Sequence, residues 1–126
     1  MPQDALYRAR ELRARGDLAG ARRAFARAGD GAGPTAEGAW LELARMELGC
    51  GDPRAAREAL AEHDRRFGAA SPLALEAAGL SLRAAREAGD RDAADRIARE
   101  IVRRWPDAAQ ATVARQWLAE RGLGND

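Results

Sequence analysis

The chain has 126 residues, with 21 basic and 20 acidic side chains and a formal net charge of +1. A surface that neutralises nucleic-acid phosphates needs an excess of basic charge, so we expect no nucleic-acid partner. No stretch approaches the length of a membrane span, and the N-terminal residues lack the apolar core of a signal peptide. These features predict a cytoplasmic protein without membrane insertion, or a domain excised from a larger periplasmic or envelope protein.

Composition favours a helical chain. Ala, Arg, Leu and Glu are abundant, aromatic residues make up 5%, and β-branched residues are scarce. Straight-chain residues and Ala lose little conformational freedom in a helix, whereas β-branched residues lose more. The predicted fold class is therefore all-α.

A Gly-Asp dipeptide recurs three times between stretches of helical period. Gly ends a helix by adopting the left-handed conformation, and an adjacent Asp can cap the next helix. Each dipeptide is therefore interpreted as the turn of a helical hairpin, and the spacing indicates a helical repeat. The dipeptides are Gly16-Asp17, Gly51-Asp52 and Gly89-Asp90, which lie 35 and then 38 residues apart.

Taken in chain order, the apolar periodicity predicts seven helices in one domain over residues 1–126. Thr35 is the expected N-cap of the second hairpin and Ser71, followed by Pro72, that of the third. Trp117 is expected to face inward from the last helix, which would cover the open end of the stack. The predicted hairpins span about 4–29, 35–66 and 72–104, and the capping helix spans about 106–121.

The longer second spacing has its own interpretation. The first two turns are 35 residues apart and the next two are 38 apart. Shifting the key positions of the third hairpin back by three residues, to Leu75, Ala78, Gly79 and Leu82, improves their match to the repeat pattern. The first helix of the third hairpin is therefore predicted to be extended by about one turn.

Several short motifs resemble the tetratricopeptide repeat. Trp40-Leu41-Glu42-Leu43-Ala44 resembles the W-x2-L-G opening of that repeat, and Ala21 to Phe25 matches its later A-x3-F element. Pro106 follows Ala98 by eight residues, where the closing proline of the repeat belongs. The resemblance implies a right-handed α-α superhelix, or solenoid, of three tetratricopeptide-like hairpins and a C-terminal capping helix.

The resemblance also implies a binding surface, because the first helices of such hairpins line a concave groove that holds a peptide or a partner's helix. Arg can grip carboxylates bidentately while its stem packs on apolar surface, so an acidic or amphipathic peptide is the expected ligand. The expected exposed groove residues are Tyr7, Arg10, Arg13, Leu41, Glu42, Arg45, Leu48, Glu76, Leu80 and Arg83.

The residues offer no catalytic or metal-binding constellation. His63 is the only histidine and Cys50 the only cysteine, so neither a His/Cys metal cluster nor a base-activated thiol is expected. His63 is expected in the core of a hairpin and Cys50 in a turn. We therefore expect no enzyme activity, no metal and no cofactor.

Two functions remain open at this stage. The first is an adaptor or scaffold that binds a protein or peptide in the Arg-lined groove. The second is a self-assembling structural or oligomerisation module, such as an accessory domain of a larger bacterial envelope or signalling protein, which makes a homo-oligomer a further expectation. RNA binding by helical hairpins would require a strongly basic groove, which the near-neutral charge disfavours.

Overall fold

The computed structural model describes residues 2–68 and 70–123, and this part of the chain folds into seven α-helices without a β-strand. The predicted all-α class and the predicted number of helices are thereby confirmed. The helices are α1 (Pro2–Ala14), α2 (Leu18–Gly29), α3 (Gly33–Gly49), α4 (Pro53–Phe67), α5 (Ala74–Glu87), α6 (Arg91–Arg104) and α7 (Ala109–Glu120).

The three Gly-Asp turns share one hydrogen-bonding pattern. The glycines have φ values of 83°, 76° and 74°, a left-handed conformation that glycine adopts without steric strain because it has no Cβ atom. In each turn the Asp amide donates to a carbonyl of the preceding helix, as Asp52 does to Glu47 O at 2.9 Å. The Asp carboxylate then accepts from an amide of the next helix, as Asp52 Oδ1 does from Ala55 N at 3.0 Å. A single dipeptide thus ends one helix and begins the next.

Consecutive helices pack on one another along the whole described chain. The odd helices α1, α3, α5 and α7 also contact their next odd neighbour, whereas the even helices α2, α4 and α6 do not approach one another within 8 Å between Cα atoms in the described part. The odd helices therefore form one continuous face, and the even helices are spaced apart on another.

Some helix starts differ from the predictions. Helix α3 begins at Gly33 with Ala32 as its N-cap, so the expected cap Thr35 lies inside the helix. Helix α5 begins at Ala74, after Leu73, because Ser71 and Pro72 form a turn in which Ser71 Oγ accepts from Leu73 N at 2.9 Å. The expected capping helix, α7, begins three residues after Pro106.

The predicted extension of the third hairpin is wrong. Its first helix, α5, has 14 residues, which is shorter than the 17 residues of α3. The additional length lies earlier: α4 has 15 residues where α2 has 12, and the connector 68–73 is longer than the connector 30–32. Spacing between turns fixes only the sum of these lengths, so it could not assign the excess to one helix.

The apolar side chains form two clusters that divide near α5. The larger cluster draws on α1 to α4 with Ala77 and Ala84 of α5. The smaller one draws on α5, α6 and α7, with Ile101 and Leu118 among its buried members. Alanine is the commonest buried residue in both, which permits close approach of the helices.

Trp40 joins the first two hairpins. Its indole is 6% exposed, and Nε1 donates to the carbonyl oxygen of Gly29 at 3.0 Å. The guanidinium of Arg66 covers the ring, with Cζ at 5.3 Å from its centroid. A Cβ atom at Gly29 would overlap the indole, so this glycine is required for the contact.

A second set of contacts links each even helix to the end of the next odd helix or, for Asp90, to the turn that follows it. The linking residue always lies six positions after the glycine of the turn, at Arg22, Arg57 and Asp95. The three links are Arg22–Glu47 at 2.8 Å, Arg57–Asp90 at 2.9 Å and Asp95–Arg121 at 3.0 Å. The third link reverses the charges of the other two.

The link made by Asp95 contains more hydrogen bonds than the other two. Its carboxylate accepts from Nε and Nη2 of Arg121, and Oδ1 also accepts from Trp117 Nε1 at 2.9 Å. The hydrogen bonds from Arg121 and Trp117 hold the pKa of the Asp95 carboxyl below its ordinary value. Trp117, which was expected to face inward, thus anchors α7 to α6.

We expect Gly29→Ala to lower the free energy of unfolding by about 1–3 kcal/mol, because the added methyl group overlaps the Trp40 indole. The matched control is Gly38→Ala in α3, where the added methyl group meets no atom within 4 Å. A mid-helix Gly→Ala change there should stabilise by up to about 1 kcal/mol. Urea denaturation of both variants tests this; equal effects would contradict the role given to Gly29.

We expect Asp95→Asn to destabilise the chain at neutral pH and to lose this effect in acid. Since the folded-state pKa is lowered, the contribution of the carboxylate is complete above the ordinary value of 3.8 and disappears as pH falls through the folded-state pKa. Thermal midpoints measured from pH 7 to pH 2 should therefore converge for the two proteins. Asp107→Asn, at an exposed acid, is the control; a pH-independent difference for Asp95→Asn would refute the link.

Candidate binding groove

The odd-helix face carries most of the expected groove residues, but two of them are buried. Leu41 is 1% exposed and Leu48 is 3% exposed, so the expectation that they line an open groove is wrong. Both side chains belong to the larger core cluster, where they pack between α3 and its neighbours. Tyr7, at 59% exposure on α1, lies open to solvent as expected.

The arginines on the first half of this face are already paired. Arg10 binds Glu42 bidentately, with Nη2 at 2.6 Å from Oε2 and Nε at 2.9 Å from Oε1. Arg13 approaches the same carboxylate at 3.9 Å and covers the Phe25 ring. The Glu42 hydrogen bonds raise the pKa of Arg10 above its ordinary value. Between α3 and α5, Arg45 pairs with Glu76.

The arginines of these pairs lie at a fixed distance in sequence from the Gly-Asp turns. The residue six positions before each turn glycine is an arginine, at Arg10, Arg45 and Arg83. Arg10 and Arg45 each reach an acid on the next odd helix. Because α5 is not extended as the spacing predicted, Arg83 occupies the same position in its hairpin as Arg10 and Arg45 do in theirs.

Arg83 does not pair with the next odd helix in this way. The next odd helix, α7, has one acid, Glu120, at its last position, and presents Gln110 and Val113 to the groove. Arg83 instead turns back to Glu87 on its own helix, with Nε at 2.7 Å from Oε2. The Arg83 side chain is 54% exposed. Arg83 therefore pairs within its own helix, whereas Arg10 and Arg45 pair with an acid of the next odd helix.

An open groove lies at this point, between α3, α5 and α7, with a volume of about 470 Å³. Its wall includes four of the expected residues, Arg45, Glu76, Leu80 and Arg83. Sequence reasoning missed the rest because they depend on how α7 crosses α5. Those residues are Gly79, Leu82, Arg86, Gln110 and Val113.

Two details shape this groove. Gly79 lets α7 lie close to α5, since a Cβ atom there would come within 3.0 Å of Gln110 Cγ. Val113 is 48% exposed and contributes apolar surface to the groove wall from α7.

The lone histidine and the lone cysteine of the chain lie in different surroundings. His63 is completely buried, as expected, and its Nε2 lies 3.1 Å from Glu37 Oε1 in the core between α3 and α4. Cys50 is exposed in the second Gly-Asp turn. Within residues 2–68 and 70–123, no three His, Cys, Asp or Glu side chains are grouped as a metal site would require.

None of the described helices combines the length and apolarity needed to cross a bilayer. No protein-family model matches the sequence, and no match was found among curated proteins or solved structures. Inference about function therefore depends on the geometry of the odd-helix face.

We expect a double-mutant cycle on Arg10→Ala and Glu42→Ala to give a favourable coupling energy of about 0.2–1 kcal/mol that decreases at high salt. The size is limited because the Arg10 side chain is 44% exposed and screened by solvent. The matched pair is Arg54 and Glu58, whose side chains are 91% and 72% exposed and should couple more weakly. Zero coupling between Arg10 and Glu42 would leave both side chains available to a ligand.

Proposed function

We propose that this protein is a non-enzymatic interaction module that binds a segment of a partner polypeptide along the odd-helix face, with an acidic side chain of the partner at Arg83. The observation that carries the proposal is the broken series at that arginine. Its two counterparts, Arg10 and Arg45, each pair with an acid from the next odd helix, and Arg83 has none there.

The surrounding residues support an extended segment with mixed chemistry. Arg86 lies beside Arg83 in the groove wall and packs over the Trp117 ring, with Cζ at 4.9 Å from the centroid. Leu80 and Val113 supply apolar surface next to these charges. Guanidinium groups bind carboxylates through paired hydrogen bonds, so an acidic residue flanked by an apolar one suits this groove.

The proposed site covers less of the odd-helix face than the groove residues expected from the sequence. The Arg10–Glu42 and Arg45–Glu76 pairs occupy charge that an acidic ligand would otherwise use. An occupant of the first half would have to displace those internal pairs, whereas an occupant beside Arg83 would displace only the exposed Glu87. The proposed site is therefore the half of the face formed by α5 and α7.

The proposed architecture is the tetratricopeptide-like solenoid, a right-handed superhelix in which the odd helices line the inner surface. Contacts between successive odd helices, and the wider separation of the even helices, support it. Self-assembly remains the alternative function. Tyr7 and Val113, the large apolar residues with high exposure in the described chain, lie on the first and last helices and form no shared patch that would favour it.

A library of peptides selected against the full chain tests the proposal. We expect the selected peptides to be enriched in Asp or Glu beside an apolar residue, and Arg83→Glu to weaken their binding by about tenfold or more through charge repulsion. The matched control is Arg54→Glu on α4, away from the groove, where the side chain is 91% exposed. Equal losses in both variants would indicate a general charge effect and exclude this site.

A further inference from the structure

Arg86 differs from the other arginines in the wall of the groove because no acid pairs with it. The other two form the ion pairs Arg45–Glu76 and Arg83–Glu87. Arg86 is exposed and forms neither an ion pair nor a hydrogen bond with the residues that the structure describes. The described groove therefore contains one positive charge without a matching negative charge.

The guanidinium of Arg86 is held by Trp117, with Cζ at 4.9 Å from the ring centroid. The ring is itself fixed, because its Nε1 donates to Asp95 Oδ1 at 2.9 Å. Arg121, which binds the same carboxylate, also lies over the ring, at 5.9 Å from the centroid. The contact with the ring uses the positive charge of Arg86 but none of its N–H groups. Arg86 is therefore a preorganised donor for a carboxylate.

Arg83 and Arg86 lie at the boundary of two recesses. The groove of about 470 Å³, which contains Leu80 and Val113, lies on one side of them, and a recess of about 390 Å³ that reaches Trp117 lies on the other. Both arginines line both recesses. Positions three residues apart on a helix lie on the same face, with Cβ atoms about 5–6 Å apart. A ligand that crosses the boundary therefore meets both guanidinium groups.

We propose that Arg86 is a second anchor of the groove, and that the partner segment carries two acidic side chains, one bound by Arg83 and one by Arg86. This inference rests on the proposed function, which supplies only the first acid. An acid at Arg83 competes with Glu87 for the guanidinium, whereas an acid at Arg86 displaces no internal ion pair. The acid at Arg86 should therefore contribute more to the affinity than the acid at Arg83.

The distance between the two arginines determines the spacing of the two acids. Side chains on one side of an extended segment are two residues apart, or about 6.6–6.8 Å, which is close to the separation of about 5–6 Å on the helix. Leu80 lies three residues before Arg83, so an apolar side chain of the partner at Leu80 lies beyond Arg83 from Arg86. The expected partner pattern is apolar-x-acid-x-acid, in one direction or the other.

The test is an NMR titration of the full, isotope-labelled chain with the peptides acetyl-Leu-Ala-Glu-Ala-Glu-amide and acetyl-Glu-Ala-Glu-Ala-Leu-amide, which represent the two directions. We expect the better of the two to cause saturable shift changes at the amide of Leu80 and at the indole N–H of Trp117. The indole N–H of Trp40, buried between the first two hairpins, is the internal control and should not change. Absence of saturable changes with both peptides would overturn the inference.

Substitutions in both molecules assign each acid to its arginine. With the unchanged chain, replacing either Glu of the peptide by Gln should weaken binding about threefold or more. In Arg86→Ala one of these replacements should lose its effect, and in Arg83→Ala the other should. Arg86→Lys should recover part of the affinity, because Lys keeps the charge but cannot form paired hydrogen bonds. Arg54→Ala on α4 is the matched control, with a side chain that is 91% exposed and lies away from the groove.

The internal competitor provides a further check. Glu87→Gln removes the acid that pairs with Arg83. Binding of the peptide should then become stronger, and the gain should disappear when the Glu assigned to Arg83 is replaced by Gln. A gain that persists with that peptide would contradict the assignment of the two acids.

The outcomes distinguish this inference from the proposed function. If Arg83→Ala cancels the effect of one acid and Arg86→Ala cancels neither, the Arg83 site stands and the second anchor is refuted. If neither variant cancels either effect, the proposed site and the second anchor are both refuted. Tighter binding by a peptide with one phosphoserine in place of Glu-Ala-Glu would show that a single dianion bridges both arginines, and would overturn the assignment of two acids.

Discussion

The Gly-Asp turn is the constraint on which the rest of the molecule depends. Its left-handed glycine and its capping aspartate fix where one helix ends and where the next begins, and they do so with the same bonds in all three hairpins. Each hairpin therefore has a common internal register. Positions counted from the glycine can be compared between hairpins, although the sequences around the turns have diverged.

The sequence predicted most of the helical elements because the turns and the apolar periodicity are local signals. The predictions were wrong or incomplete where the packing of one helix on another determines which side chains are exposed and which are paired. Leu41 and Leu48 were placed in the groove by analogy, but burial against neighbouring helices takes precedence. The glutamates of the face were recognised, yet their pairing with Arg10 and Arg45 depends on how the odd helices lie side by side. Val113 could be located only once α7 was placed across α5.

The proposed site at Arg83 has its origin in the third hairpin. There the chain keeps the arginine of the repeated position, but the next odd helix presents no acid to it. The site lies where an internal partner is present in the two earlier hairpins and missing in this one. Residues that differ between repeats thus distinguish the binding surface from the scaffold.

The reversed charges of the link between Asp95 and Arg121 have a consequence for how such a chain can be rearranged. Arg22 and Arg57 each pair with an acid of the following unit, whereas Asp95 pairs with an arginine. If the second hairpin were placed directly before α7, Arg57 would lose Asp90 and would meet a helix end that carries Arg121, and like charges repel. The hairpins are consequently not interchangeable modules, because the charges of these links favour one order of the units. Duplication or shuffling of one unit would require compensating charge changes in its new neighbour.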